Sequence, residues 1–303
     1  MFFTFASILG ISYYIIYMWH MRKSLFILFI PIMALVSAYG QGLAGRIGIC
    51  RSVGESALLK QAGCAFVEVN IRSFFMPDKP DSAFVANLSE AARSELPAYS
   101  GNGFFPGDLI LTGPQADEKR ILRYAETAMK RAAQVRTSVF VLGSGTARTI
   151  PDGYDRQRAC KEFTGLCRKM ARLGKKYGVT VVVEPLQRSE TNFINTVREG
   201  MEIVRAVNHP NFGVLADFFH MARENEDPDA LVEAGSWLKH CHIAEKEERT
   251  APGVRGDDFT PYFRALKEIR YTGAISIECK WKDFKKELLP AVSEIKRQIS
   301  EVY

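Results

Sequence analysis

Four short apolar runs between Val179 and Trp281 each end on a side chain able to bind a metal. VTVVVEP ends on Glu184, FGVLADFFH carries Asp217 and His220, KHCHIAE carries His240 and His242, and AISIECKW carries Glu278. Glu184, Asp217, His242 and Glu278 together offer three carboxylates and one imidazole. Such an oxygen-rich set suits one divalent ion, Mn2+, Co2+ or Mg2+, with Zn2+ open but less favoured by ligand type. Each residue alone has an ordinary explanation, because a strand-end Glu is usually solvated or salt-bridged and a strand His usually packs as a satisfied core group. The joint pattern is what points to a site: the chain has five histidines, and His220, His240 and His242 all fall in this stretch. His20 and His209 have no comparable setting.

The runs that carry these groups are rich in β-branched residues and read as buried strands. An amphipathic segment separates each from the next, over residues 196–208, 229–239 and 260–269. Upstream, the units read as strand 45–50 with helix 55–62, strand 65–71 with helix 82–95, a Gly-broken third strand over 98–104 with helix 117–135, and strand 138–142 with helix 154–177. This alternation predicts an α/β fold, a single (β/α)8 TIM barrel. In a parallel barrel the C-terminal strand ends share one face, so groups about 30 residues apart in sequence converge there. The turn GSGTAR, from Gly143 to Arg148, is neither a P-loop nor GxGxxG. It reads as a tight βα turn that lets a ligand approach the backbone.

The first 40 residues read differently from the rest. From Met21 the chain has two cations, an apolar stretch from Leu25 to Val36, and small residues around Ser37, Ala38 and Gly40, the layout of a secretory leader. An earlier apolar block over residues 1–20 is consistent with a mis-called start; a membrane-anchored leader is the alternative, since about 20 apolar residues span a bilayer. The expectation is a leader over 1–40, a catalytic barrel over 41–303, and a periplasmic or secreted location, membrane-anchored if the leader is uncleaved. Removing 40 of the 303 residues leaves a chain close to the ~250 typical of such a barrel.

Net charge is +6 with 24% charged residues, but Lys and Arg alternate with Asp and Glu along helical faces. A nucleic-acid footprint would need a clustered basic stripe, so no nucleic-acid partner is expected. The six cysteines contain no CxxC pair, which argues against a thiolate zinc site. Cys160 and Cys167, seven apart on one helix, stand about 10 Å apart by helical rise, beyond disulfide reach.

EPLQR at Glu184, DFFH from Asp217 to His220, HCHIAE from His240 to Glu245, IECKW around Glu278 and LGSGTAR after the fourth strand resemble the xylose-isomerase-like sugar isomerase and epimerase superfamily. Within it the chain is similar to ketose 3-epimerases and hydroxypyruvate-isomerase-type enzymes, from about Gly45 onward. The resemblance implies that Glu184, Asp217, His242 and Glu278 are metal ligands and that Glu184 and Glu278 double as the acid/base pair. It implies that His220 and an Arg after the His242 strand hold substrate oxygens. Arg249 is the nearest match for that Arg, and Arg255 the alternative because the loop is one residue longer.

The expected chemistry is isomerisation or epimerisation of a sugar or keto-sugar by Glu/Glu proton transfer through a metal-stabilised enediolate. A lyase, dehydratase or hydrolase acting on a keto-sugar or keto-glycoside with the same site is the alternative, and a noncatalytic carbohydrate-binding barrel a third. The abasic-site endonucleases that share this barrel need more His ligands than this chain can place. Glu68 and Glu245 are candidate accessory ligands. Trp281, Phe104, Phe105 and Phe219 can stack on a sugar ring or simply pack. The only expected partner is a small-molecule sugar, with a homo-oligomer open.

Overall fold

A computed structural model describes residues 42–303; the leader expected over 1–40 lies outside the described residues. Eight strands form the frame: β1 Ile47–Cys50, β2 Phe66–Asn70, β3 Ala98–Asn102, β4 Val139–Leu142, β5 Thr180–Val183, β6 Phe212–Asp217, β7 Leu238–Ile243 and β8 Ala274–Ile277. All neighbours are parallel, and β8 pairs with β1 to close the barrel in sequence order. One main helix follows each strand: α1 Ser56–Gln61, α2 Asp81–Arg93, α3 Glu118–Val135, α4 Arg156–Tyr177, α5 Val197–Val207, α6 Asp229–Ala234, α7 Thr260–Glu268 and α8 Phe284–Ser300. No helix among the described residues is long and apolar enough to cross a membrane.

The strand faces divide as a period-2 pattern requires. On β4, Phe140 and Leu142 pack with helix residues such as Ile121 and Phe163 in the main core. Val139 and Val141 therefore face inward, where they form a separate small cluster with Val182, Leu215 and Tyr99. Helix starts are fixed by side-chain caps that satisfy otherwise unpaired N–H groups. Asp117, Asp155, Thr196 and Asp283 cap α3, α4, α5 and α8 in this way.

Two segments depart from the sequence reading. The helix expected over 229–239 stops at Ala234, because Gly235 takes φ 53° and the chain passes through a 3-10 turn into β7. The turn after β4 is a single helical turn, Gly145–Arg148, rather than a loop. Arg148 is completely buried there and donates to the carbonyls of Leu142, Gly143, Phe193 and Ile194. That guanidinium ties the β4 and β5 loops together and so braces the wall beside Glu184.

Candidate metal centre and its surroundings

Each of the four groups sits at a strand's C-terminal end. Asp217 closes β6, His242 is the penultimate residue of β7, and Glu184 and Glu278 directly follow Val183 and Ile277, the last residues of β5 and β8. One ligand atom from each lies within 4.8 Å of the others. His242 Nδ1 stands 3.0 Å from Glu184 Oε1 and 3.1 Å from Glu278 Oε2. Asp217 and His242 side chains are fully buried, Glu184 is 7% exposed and Glu278 25%. The cluster therefore reaches solvent mainly past Glu278.

His242 is oriented from behind. Its Nε2 lies 2.7 Å from Glu68 Oε1, while Glu68 Oε2 accepts from Ser100 Oγ at 2.6 Å and Ser276 Oγ at 2.7 Å and lies 2.7 Å from His240 Nε2. Glu68, a candidate accessory ligand in the sequence, here shares its oxygens among these four groups and holds His242 so that Nδ1 turns toward the carboxylates. The carboxylate behind a histidine sets its tautomer and makes the opposite nitrogen a better ligand. Cys50, Glu68 and His242 also lie close enough to hold an ion, but Glu68 is already fully engaged.

Of the two arginines left open in the sequence, Arg249 is the one in contact with the cluster. Its Nη2 donates to Asp217 Oδ2 at 2.8 Å and Glu278 Oε2 at 2.5 Å, its Nε donates to the Glu278 carbonyl, and its guanidinium lies over Phe219. Arg255 instead pairs with Glu248, half exposed and away from the cluster. Asn102 at the end of β3 was missed by the sequence reading; its Nδ2 donates to Glu278 Oε1 at 2.7 Å. Glu245 belongs to neither candidate metal group among the described residues. It is completely buried, and its carboxylate accepts from the N–H groups of Gly253, Arg255, Gly256 and Asp257 and from Thr250 Oγ1. It holds together the loop that carries Arg249.

His220 is 2% exposed on a short helix, Phe218–Glu224. Its Nδ1 accepts from the Gln187 N–H at 3.2 Å, which leaves the proton on Nε2. That nitrogen is buried without a hydrogen-bond partner and lies 3.5 Å from Asp217 Oδ2. Phe104 and Phe105 stack on each other at 4.1 Å inside the core, and Trp281 packs against Phe284.

Charge is distributed unevenly. Burial raises Glu184 above the ordinary carboxylate range, and the Glu278 and Asp217 charges add to this against His242. Burial acts the same way on Glu278, but the His242 charge and hydrogen bond and the Arg249 charge outweigh it and hold Glu278 at about 2. Burial opposes protonation of His242, yet Glu68, Glu278 and Glu184 raise it well above its usual value. A strong preference for positive charge at the point these groups surround is what a cation site requires.

The residues fit a divalent ion. Three oxygens and one nitrogen converge, a glycine clears the space, and an unpartnered imidazole N–H lies alongside. At Gly143 a Cβ would stand 2.3 Å from Glu184 Oε2, so the carboxylate rests over bare backbone.

Comparison with known proteins identifies the family and the fold. Residues 56–300 match the family model described as xylose isomerase-like TIM barrel. The D-psicose 3-epimerase of Ruminiclostridium cellulolyticum is 36% identical over 217 residues, 63% of this chain and 73% of that protein. The 3-dehydro-D-guloside 4-epimerase of Escherichia coli is 27% identical over 204 residues, 64% of this chain and 74% of that protein. The crystal structure of a D-allulose 3-epimerase from Methylomonas superposes with a TM-score of 0.71 at 21% identity, covering 84% of this chain and 97% of that one.

Proposed function

The chain belongs to the xylose isomerase-like TIM barrel family, and from that premise we propose that it is a divalent-metal-dependent epimerase of a ketose or keto-sugar. The observation that carries this reading is the convergence of Glu184 and Glu278 on His242 Nδ1, at 3.0 Å and 3.1 Å, with Asp217 completing the set. The sugar epimerases among its relatives support the reaction class.

Inverting a hydroxyl-bearing carbon beside a carbonyl means removing its proton on one face and returning one on the other. Glu184 takes the proton and Glu278 delivers one to the opposite face, exchanging roles in the reverse direction. Glu184, Glu278, Asp217 and His242 Nδ1 would hold a divalent ion, which would supply Lewis acidity for the negative charge that develops on the substrate oxygens. His220 Nε2–H is a fixed donor for a substrate hydroxyl, and Arg249 is a second donor at the mouth of the site. Holding substrate between these donors decides which carbon faces the two carboxylates.

Product analysis tests the reading. The Mn2+-loaded protein incubated with D-fructose, D-psicose and a 3-keto-glucoside is expected to yield the epimer at the carbon beside the carbonyl, and EDTA to abolish it. Aldose as the sole product would replace epimerase by isomerase, and release of an aglycone would replace it by lyase.

A further inference from the structure

A cleft of about 670 Å³ lies on the catalytic face, between the segment after β2, the loop after β3 and the first turns of α3. Its charged lining is Arg72, Lys79, Arg120 and Arg123 against Asp78 and Asp108. Lys79 pairs with Asp78 at 3.3 Å and Arg120 with Asp108 at 3.2 Å. Arg72 and Arg123 have no carboxylate partner among the described residues, so the cleft holds two uncompensated guanidinium groups.

The rim is built rather than loose. Arg131 is 2% exposed, and its guanidinium donates to the Phe75 and Lys79 carbonyls at 2.7 Å, to the Met76 carbonyl, and to Asp81 Oδ1 at 2.8 Å. This grip sustains Met76 at φ 45°, left-handed backbone that a non-glycine residue adopts only when its surroundings impose it. Burying a guanidinium against carbonyls costs several kcal/mol of desolvation, and here it fixes a segment that presents Arg72 and Lys79. Leu109 and Pro77 give a buried apolar floor, and Tyr124, 9% exposed, adds a phenol to the wall. Burial raises that phenol to about 12, with Asp78 adding to the shift, so it stays a hydrogen-bond donor.

Arg72 also adjoins the catalytic site. A Cβ at Gly103 would lie 3.6 Å from Arg72 Nε, and the preceding Asn102 donates to Glu278. The basic cleft therefore borders the end of β3, whose Asn102 reaches the carboxylate cluster.

We propose that this cleft binds an oxyanion group, supplied by a carboxylate-bearing sugar or by a small free oxyanion. Guanidinium groups match the planar oxygens of such a ligand with paired N–H donors, and a rigid rim lowers the ordering cost of binding. The claim concerns binding alone and stands apart from the proposed turnover.

Calorimetric titration of the full-length, Mn2+-loaded protein with D-glucuronate, with sodium sulfate and with D-glucose as the neutral control tests it. Glucuronate binding that sulfate competes away, and that weakens at least tenfold in the Arg72→Ala/Arg123→Ala double variant, supports an acidic sugar as the source. Sulfate binding alone, lost in the same variant, supports a small free oxyanion. The charge-reversal Arg123→Glu, checked for unchanged Tm, guards against misfolding of the double variant. Absence of anion binding in the wild type overturns the proposal, as does glucuronate or sulfate binding that both variants retain, since that binding would be at the metal.

Discussion

His242 presents two nitrogens to two different tasks, Nδ1 toward Glu184 and Glu278 and Nε2 toward Glu68. The second contact is what makes the first available, because it holds the ring's plane and keeps Nδ1 turned toward the carboxylates. Replacing Glu68 by Gln keeps the shape but removes the negative charge behind the imidazole. The variant is expected to fold and to bind Mn2+ about 10- to 100-fold more weakly, as read by metal titration against a chelating indicator. Unchanged metal affinity would remove Glu68 from this role. The sequence marked Glu68 as a candidate accessory ligand inside an apolar strand, and not as the partner of His242. Its partners Ser100, His240 and Ser276 are polar residues inside strands, and the register that brings Glu68 opposite Ser100 and His242 opposite Ser276 exists only once the barrel closes.

The elements that position the site were legible to different degrees. Strands β4, β5, β6 and β8 announce themselves as apolar runs, and the runs of β5 to β8 each carry a metal-capable group at their C-terminal end, so those strand-end residues could be placed in advance. The third strand, AYSGN, lacks that signature because its Ser100 faces Glu68 and its Gly101 lies against Ile71, where a Cβ would come within 2.8 Å of the Ile71 side chain. The loop after β7 could not be read at all: Glu248 and Arg249 both adopt left-handed backbone, at φ 59° and 57°, and the loop's shape comes from Glu245 gathering its N–H groups. Glu245→Ala would release those donors together. Hydrogen bonds to a charged acceptor contribute about 1.5–3 kcal/mol each, partly recovered by water, so a loss of about 2–4 kcal/mol is expected. Hydrogen exchange should show lost protection confined to residues 250–257. Protection unchanged there would mean that the loop is held by other contacts.

At the scale of the whole molecule, the closed eight-stranded sheet gives rigidity and the strand ends give function. The four candidate ligands come from β5 to β8, while Glu68 and Asn102 reach them from β2 and β3. No local segment contains the site; closure assembles it. The central claim is that this assembly moves a proton on and off a carbon beside a carbonyl, with Glu184 and Glu278 as the two bases. Deuterium incorporation from D2O tests it most directly, because exchange reports the proton transfer whatever the final product. The Mn2+-loaded protein incubated with a panel of ketoses and keto-glycosides is expected to place deuterium at the inverted carbon of at least one of them. That signal should disappear with EDTA and fall by at least about 100-fold in Glu184→Gln and Glu278→Gln, with Tm preserved in both. Full exchange in either variant, or none on any member of the panel with metal bound, would contradict the account.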